Sequence, residues 1–141
     1  MKSLQDRYAW LAGIIDGEGT ITIRRQFRTK SYSYAPHINI TNTSIKILQE
    51  SANIIKKIIG KKPKMFNTGK KNTRPCFRIQ IQDKVSCLSL LEILLPRLIG
   101  KKKQGKLLYK FLSTNCNNKK KRGIQAASIR NINAGSSYQA P

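Results

Sequence analysis

The chain has 141 residues, with 28 Lys+Arg against 6 Asp+Glu and a formal net charge of +22. That length suits one folded domain with a single core, and 39% hydrophobic residues is too many for a disordered basic tail. No apolar run approaches the ~20 residues of a membrane span and no export signal opens the chain, so a soluble, unexported protein without a membrane partner is expected.

In chain order, the periodicity predicts a helix over 4–17, with Leu4, Tyr8, Leu11 and Ile15 at helical spacing, stopping at Gly17 and Gly19. Thr20–Arg28 alternates apolar and polar and reads as a half-buried strand; 29–36 reads as a hairpin turn, and His37–Thr41 as a second strand. Asn42-Thr43-Ser44 offers capping side chains to a helix carrying Ile45, Leu48, Ala52, Ile55 and Ile59, closed by Gly60. Met65 and Phe66 mark a short third strand, and Phe77–Gln82 a fourth. Asp83 caps a further helix that ends near Pro96 and Gly100, and another spans 101–112. From 113 the chain is rich in Asn, Lys and Ser, and reads as a partly ordered tail with weak helical periodicity. The boundaries expected are a domain over 1–115 and a basic extension over 116–141.

The clean alternation predicts an antiparallel sheet with helices on one face and the other face open. That open face would carry Thr22, Arg24, Gln26 and Arg28, then His37, Asn39 and Thr41, then Arg78 and Gln80. These side chains suit the edges of base pairs, and no acid stands among them. The pI near 10.5 independently points to a polyanion partner, and the run Lys119, Lys120, Lys121 and Arg122 suits phosphates. Cys76, Cys87 and Cys116 are widely spaced and suggest neither a disulfide framework nor a zinc site; reduced intracellular thiols fit better.

Two of the six acids, Asp16 and Glu18, fall at the C-terminal end of an apolar helix, where the helix dipole disfavours a carboxylate. A divalent cation would remove that conflict; hydrogen bonding at the helix end is the competing explanation. Gly13 and Gly17, beside Ala9 and Ala12, offer a small-residue face on which a second helix can pack closely.

The segment Leu11-Ala12-Gly13-Ile14-Ile15-Asp16-Gly17-Glu18-Gly19 resembles the signature motif of the LAGLIDADG homing endonucleases, with Ile14 in place of Leu, Gly17 in place of Ala and Glu18 in place of Asp. The Ile-Thr-Asn-Thr turn at 40–43 and the Lys-Lys-Lys-Gln start of the 98–112 region fall in that family's order, so the resemblance spans roughly 5–112. A single motif is similar to the intron-encoded, homodimeric branch.

The resemblance implies an α+β, αββαββα fold with a saddle-shaped antiparallel sheet. It also implies a homodimer packed through Leu11, Ala12, Gly13, Asp16 and Gly17. By the same resemblance, Glu18 and the Gly17 carbonyl hold Mg²⁺, with Mn²⁺ as a substitute and Ca²⁺ supporting binding without cleavage. Lys101, Asn42 and Lys46 would complete the catalytic pocket, and Asp16 would play a supporting part. The implied activity is site-specific, Mg-dependent cleavage of double-stranded DNA at a long pseudo-palindromic site, leaving short 3′ overhangs. The alternative is a group I intron maturase that binds intron RNA. The setting implied is an archaeal or bacterial cytoplasm, or an organelle.

Overall fold

The structure is a computed structural model that describes residues 3–114 and 119–136, with side chains in the last stretch from 121 to 134. Its elements are α1 (Leu4–Glu18), β1 (Gly19–Arg28), β2 (Ser31–Asn42), α2 (Ile45–Ile59), β3 (Lys64–Asn67), β4 (Phe77–Ile81), α3 (Lys84–Leu94), α4 (Lys102–Ser113) and α5 (Lys119–Ser136). The sheet is antiparallel throughout, in the order β1-β2-β4-β3. No helix of the described residues is long and apolar enough to cross a membrane.

As the sequence suggests, Ser44 caps α2 and Asp83 accepts from the Ser86 amide at the start of α3. The structure adds a cap at the start of α1, where Ser3 accepts from the Asp6 amide. Gly60 ends α2 at a φ of 80°, a left-handed conformation that glycine adopts without the Cβ penalty.

Period-two alternation sends Ile21 and Ile23 of β1, Ile38 and Ile40 of β2, and Ile79 and Ile81 of β4 to one face. There they are buried against Leu11 and Ile15 of α1, Leu48 and Ile55 of α2, and Leu90 and Leu91 of α3. Cys87 lies in the same core, and burial pushes its thiol up to about 12, which makes it an inert packing residue.

Two expectations change. Residues 31–36 are not turn but the first half of β2, which leaves only Thr29-Lys30 to reverse the chain. Pro36 is tolerated because β4 pairs with β2 only from Ile38 onward, so a missing N–H breaks no bond on that side. Residues 119–136, expected as part of a partly ordered tail with weak helical periodicity, form the helix α5. α5 buries Ala126 and Ile129 and packs on α4 and on the β1–β2 hairpin. Asn133 also donates to the Ile21 carbonyl at 3.0 Å, so α5 is tied to the edge strand β1.

Candidate active site

The C-terminal end of α1 is where chemistry-bearing groups converge. Gly19 joins α1 directly to β1, and an added Cβ would stand 2.8 Å from the Ile15 carbonyl oxygen and 3.1 Å from that of Asn39. Both contacts are with backbone that cannot swing aside, so glycine is required at this helix-to-strand join. The register Gly19↔Ile40 then sets the end of α1 beside the end of β2, where Asn42 lies two residues further on.

The two acids of this segment have different fates. Asp16 accepts from the Ile99 amide through one oxygen and from the Lys101 amide through the other, each at 2.9 Å. Its backbone carbonyl accepts from Lys101 Nζ at 2.7 Å. Asp16 is therefore a latch that fastens the 99–101 turn to α1. Lys101 in turn supplies the positive charge that the helix end favours and that α1 lacks in its own last turn. Glu18, the last residue of α1, is exposed.

Asn42 uses Oδ1 to accept from the Ser44 amide at 2.7 Å, a turn that leads into α2, and Lys46 is exposed on the first turn of that helix. Among the described residues, no group of three or more His, Cys, Asp and Glu could hold a metal ion. The donor set at the end of α1 nevertheless suits part of a divalent-cation site. Glu18 offers an exposed carboxylate, the neighbouring helix-end carbonyls are negative, and Asp16 is already committed to backbone N–H groups. A full oxygen shell would need donors from outside this chain.

The faces of α1 separate two sets of residues. Leu11 and Ala12 are completely buried in the chain's own core, so no partner helix can reach them, which corrects their expected place at a dimer interface. Half-buried Asp16 is turned to the 99–101 turn. The exposed face is Ala9, Gly13 and Gly17, and a Cβ added to either glycine meets nothing within 4 Å.

The expected contact residues of the sheet do share one face, opposite the isoleucines. The pairings Thr22↔His37, Thr20↔Asn39, Asn39↔Gln80 and Thr41↔Arg78 bring them side by side. Their exposure differs. Arg24, Gln26 and Arg28 are exposed, and Thr41, Arg78 and Gln80 are half-buried, whereas Thr22, His37 and Asn39 are buried and form the floor of the face. His37 Nε2 lies 2.9 Å from Asn39 Nδ2, and its Nδ1 lies 3.3 Å from Gln82 Nε2. Burial, reinforced by the neighbouring Arg24 and Arg78 charges, pushes the imidazole down to about 4. It is neutral at pH 7, accepting at one nitrogen and donating at the other, so one of the two amides must present its oxygen to it. Arg78 Nε donates to Thr41 Oγ1 at 3.4 Å, which steadies its guanidinium across the β2–β4 pair.

Of the basic run, Lys121 is exposed on α5, while Arg122 is half-buried with its guanidinium 4.7 Å from the centre of the Phe111 ring. The side chains of Lys119 and Lys120 lie outside the described residues. Sequence reading passed over Gln82 and the Ile99 amide, both joined to their partners only by the fold, and also Arg25, Phe27, Tyr32 and Tyr34. These last four could have been found, because alternation assigns an arginine and three aromatics to the face that otherwise carries isoleucine.

No protein-family model matches the chain, and no curated protein matches it. Solved structures do. The homing endonuclease I-CvuI, solved with an I-CreI target in the presence of Mg, is similar over 97% of this chain and 98% of its own, at 23% identity and a TM-score of 0.66. The archaeal intron-encoded homing endonuclease I-Vdi141I, complexed with DNA, is similar over 92% of this chain and 86% of its own, at 15% identity and a TM-score of 0.73. The group I intron-encoded homing endonuclease I-CeuI, also complexed with DNA, is similar over 95% and 67%, at 16% identity and 0.65. Element order, sheet order and these likenesses coincide, and the chain has the fold of the LAGLIDADG homing endonucleases.

Proposed function

We propose that this protein is a homodimeric, metal-dependent endonuclease that cleaves both strands of a long, nearly palindromic DNA site. The observation that carries this reading is the separation of the two acids. Asp16 is spent on holding Lys101 in place, while Glu18, two residues on, remains a free carboxylate at the negative end of the same helix. A carboxylate kept exposed at an unfavourable helix end, beside a fixed lysine and in a chain of charge +22, suits phosphodiester chemistry.

In this reading Glu18 and the Gly17 carbonyl of each copy would hold Mg²⁺. Such a cation, when bound, offsets phosphate charge and favours deprotonation of an attacking water. Lys101, aimed across the end of α1, stabilises the negative charge that builds on the phosphoryl oxygens. Asn42, two residues beyond the strand partner of Gly19, and Lys46 on the first turn of α2 would orient water and phosphate. Arg24, Gln26, Arg28, Thr41, Arg78 and Gln80 meet base edges, with Thr22, His37 and Asn39 supporting them from below. Lys121 contributes phosphate contacts.

The Ala9, Gly13 and Gly17 face of α1 is the surface through which two copies would place their Glu18 carboxylates together. Gly13→Leu should then give a monomer by sedimentation, with cleavage lost. An unchanged dimer would place the interface elsewhere.

Cleavage of a randomised plasmid library in Mg²⁺, Mn²⁺ and Ca²⁺ tests the reading directly. Cutting with short 3′ overhangs in Mg²⁺ and Mn²⁺, and binding without cutting in Ca²⁺, is the expected result. Failure to cut any member in any of the three ions would overturn it.

A further inference from the structure

The β1–β2 hairpin has a second face, and its chemistry is unlike that of the first. Arg25, Phe27, Tyr32 and Tyr34 alternate with the expected DNA-contact positions and point to the side on which α5 packs. Cross-strand pairing sets Arg25 opposite Tyr34 and Phe27 opposite Tyr32. The Arg25 guanidinium lies 4.7 Å from the centre of the Tyr32 ring and 5.9 Å from that of Tyr34. Tyr32 and Tyr34 meet edge to face at 5.6 Å, and Phe27 stands 6.4 Å from Tyr32.

Between this cluster and α5 lies an open cleft of about 530 Å³, walled by Arg25, Tyr32 and Tyr34 on one side and by Ile124 and Arg130 on the other. Gly123 lets α5 approach the Tyr34 hydroxyl closely at the edge of the cleft, because a Cβ there would stand 3.0 Å from it. Two large apolar side chains remain in water at this end of the molecule, Phe27 at 77% exposure and Ile124 at 60%.

Charge identifies the class of ligand. Residues 19–49 and 93–141, which supply every wall of the cleft, contain no Asp or Glu. One exposed ring, Phe27, backed by half-buried Tyr32 and buried Tyr34 and flanked by arginines with no acid among them, suits a polyanion that also presents flat apolar surfaces. A duplex hides the faces of its bases, whereas a single strand displays them.

We propose that this cleft binds single-stranded nucleic acid. One base stacks on Phe27, which stands beside the Tyr32 wall of the cleft at the hairpin tip, and Arg25 and Arg130 hold the flanking phosphates. The site is on the side of the hairpin opposite Arg24 and Gln26, so it is independent of the duplex face and of cleavage.

The test uses the full chain and three labelled probes in fluorescence anisotropy: oligouridylate and oligodeoxythymidylate of about twelve nucleotides, and a random duplex of about twice that length. Phe27→Ala, at a position already in solvent, should weaken the oligouridylate roughly tenfold while changing duplex binding less than about twofold. Arg24→Ala should do the reverse. If both single strands lose affinity in Phe27→Ala, the cleft takes RNA and DNA alike; if only oligouridylate does, its ligand is RNA. The proposal is overturned if neither single strand binds, if Phe27→Ala leaves them unaffected, or if it weakens the duplex equally. Concentration-dependent self-association that Phe27→Ala abolishes, with no single-strand effect, would instead assign the cleft to a second copy of the chain.

Discussion

The end of α1 and the polar face of the sheet hold their charge in opposite ways. At the helix end a few groups are fixed by backbone hydrogen bonds: Asp16 to the Ile99 and Lys101 amides, and Lys101 Nζ back to the Asp16 carbonyl. On the sheet, long side chains are spread over three strands, and the fixed part is the buried floor of Thr22, His37 and Asn39 beneath them. A site of the first kind fails when one atom is removed. A surface of the second kind loses affinity by degrees, because each base or phosphate contact contributes separately.

Substitutions in each region can break this contrast. Glu18→Gln keeps the shape but removes the charge, and should lower the cleavage rate by about a thousandfold or more while leaving target binding intact. Cutting retained in single-turnover assays would remove Glu18 from the chemistry. Asp16→Ala should come next. It removes the two carboxylate hydrogen bonds that fix the 99–101 turn, one of them exposed to water, and loosens the backbone of Lys101, costing about 2 kcal/mol in chemical denaturation and slowing cleavage. A variant that slowed cleavage with unchanged stability would mean that the carboxylate acts on substrate rather than as a latch. On the sheet, the Arg24→Ala, Arg78→Ala pair should cost about 2–3 kcal/mol of binding and relax sequence preference, with the rate on saturated substrate nearly unchanged. Loss of that rate would deny the sheet a purely recognitional role.

The same contrast shows what sequence can disclose. β4 was readable because Phe77, Ile79 and Ile81 alternate without interruption, and α2 because Ser44 and Gly60 bracket an apolar stripe. The first half of β2 was hidden by its Ser, Tyr and Pro content, which has the composition of a turn and becomes strand only through pairing with β1. α5 was hidden because few of its side chains are needed in the core, Ala126 and Ile129 among them. The α1 acids stood out as a problem in electrostatics. Their different roles did not, since the amides that hold Asp16 are 83 and 85 residues away along the chain. Alternation placed His37 on the polar face correctly, yet its burial depends on the breadth of the sheet, with Asn39 and Gln82 bonded to its ring and Arg24 and Arg78 close enough to act on its charge.

His37 gives the smallest effect and the sharpest check on how rigid the sheet floor is. Its ring titrates near 4 in the fold against an ordinary 6.5, so the unfolded chain binds the proton more tightly than the native one. The ring's contribution is therefore intact above the unfolded value of 6.5, and is lost as pH falls from there toward 4. Between pH 7 and pH 5 that loss amounts to about 2 kcal/mol. Urea denaturation at the two pH values should show it, and His37→Gln, which retains amide-like hydrogen bonding without a titrating ring, should remove most of it. The groups that face the ring are the amides of Asn39 and Gln82 and the guanidinium groups of Arg24 and Arg78, all of which the variant keeps, so the difference between wild type and variant belongs to the imidazole. A wild-type chain as stable at pH 5 as at pH 7, relative to the variant, would mean that water reaches the ring and that the floor is as adaptable as the arginines above it.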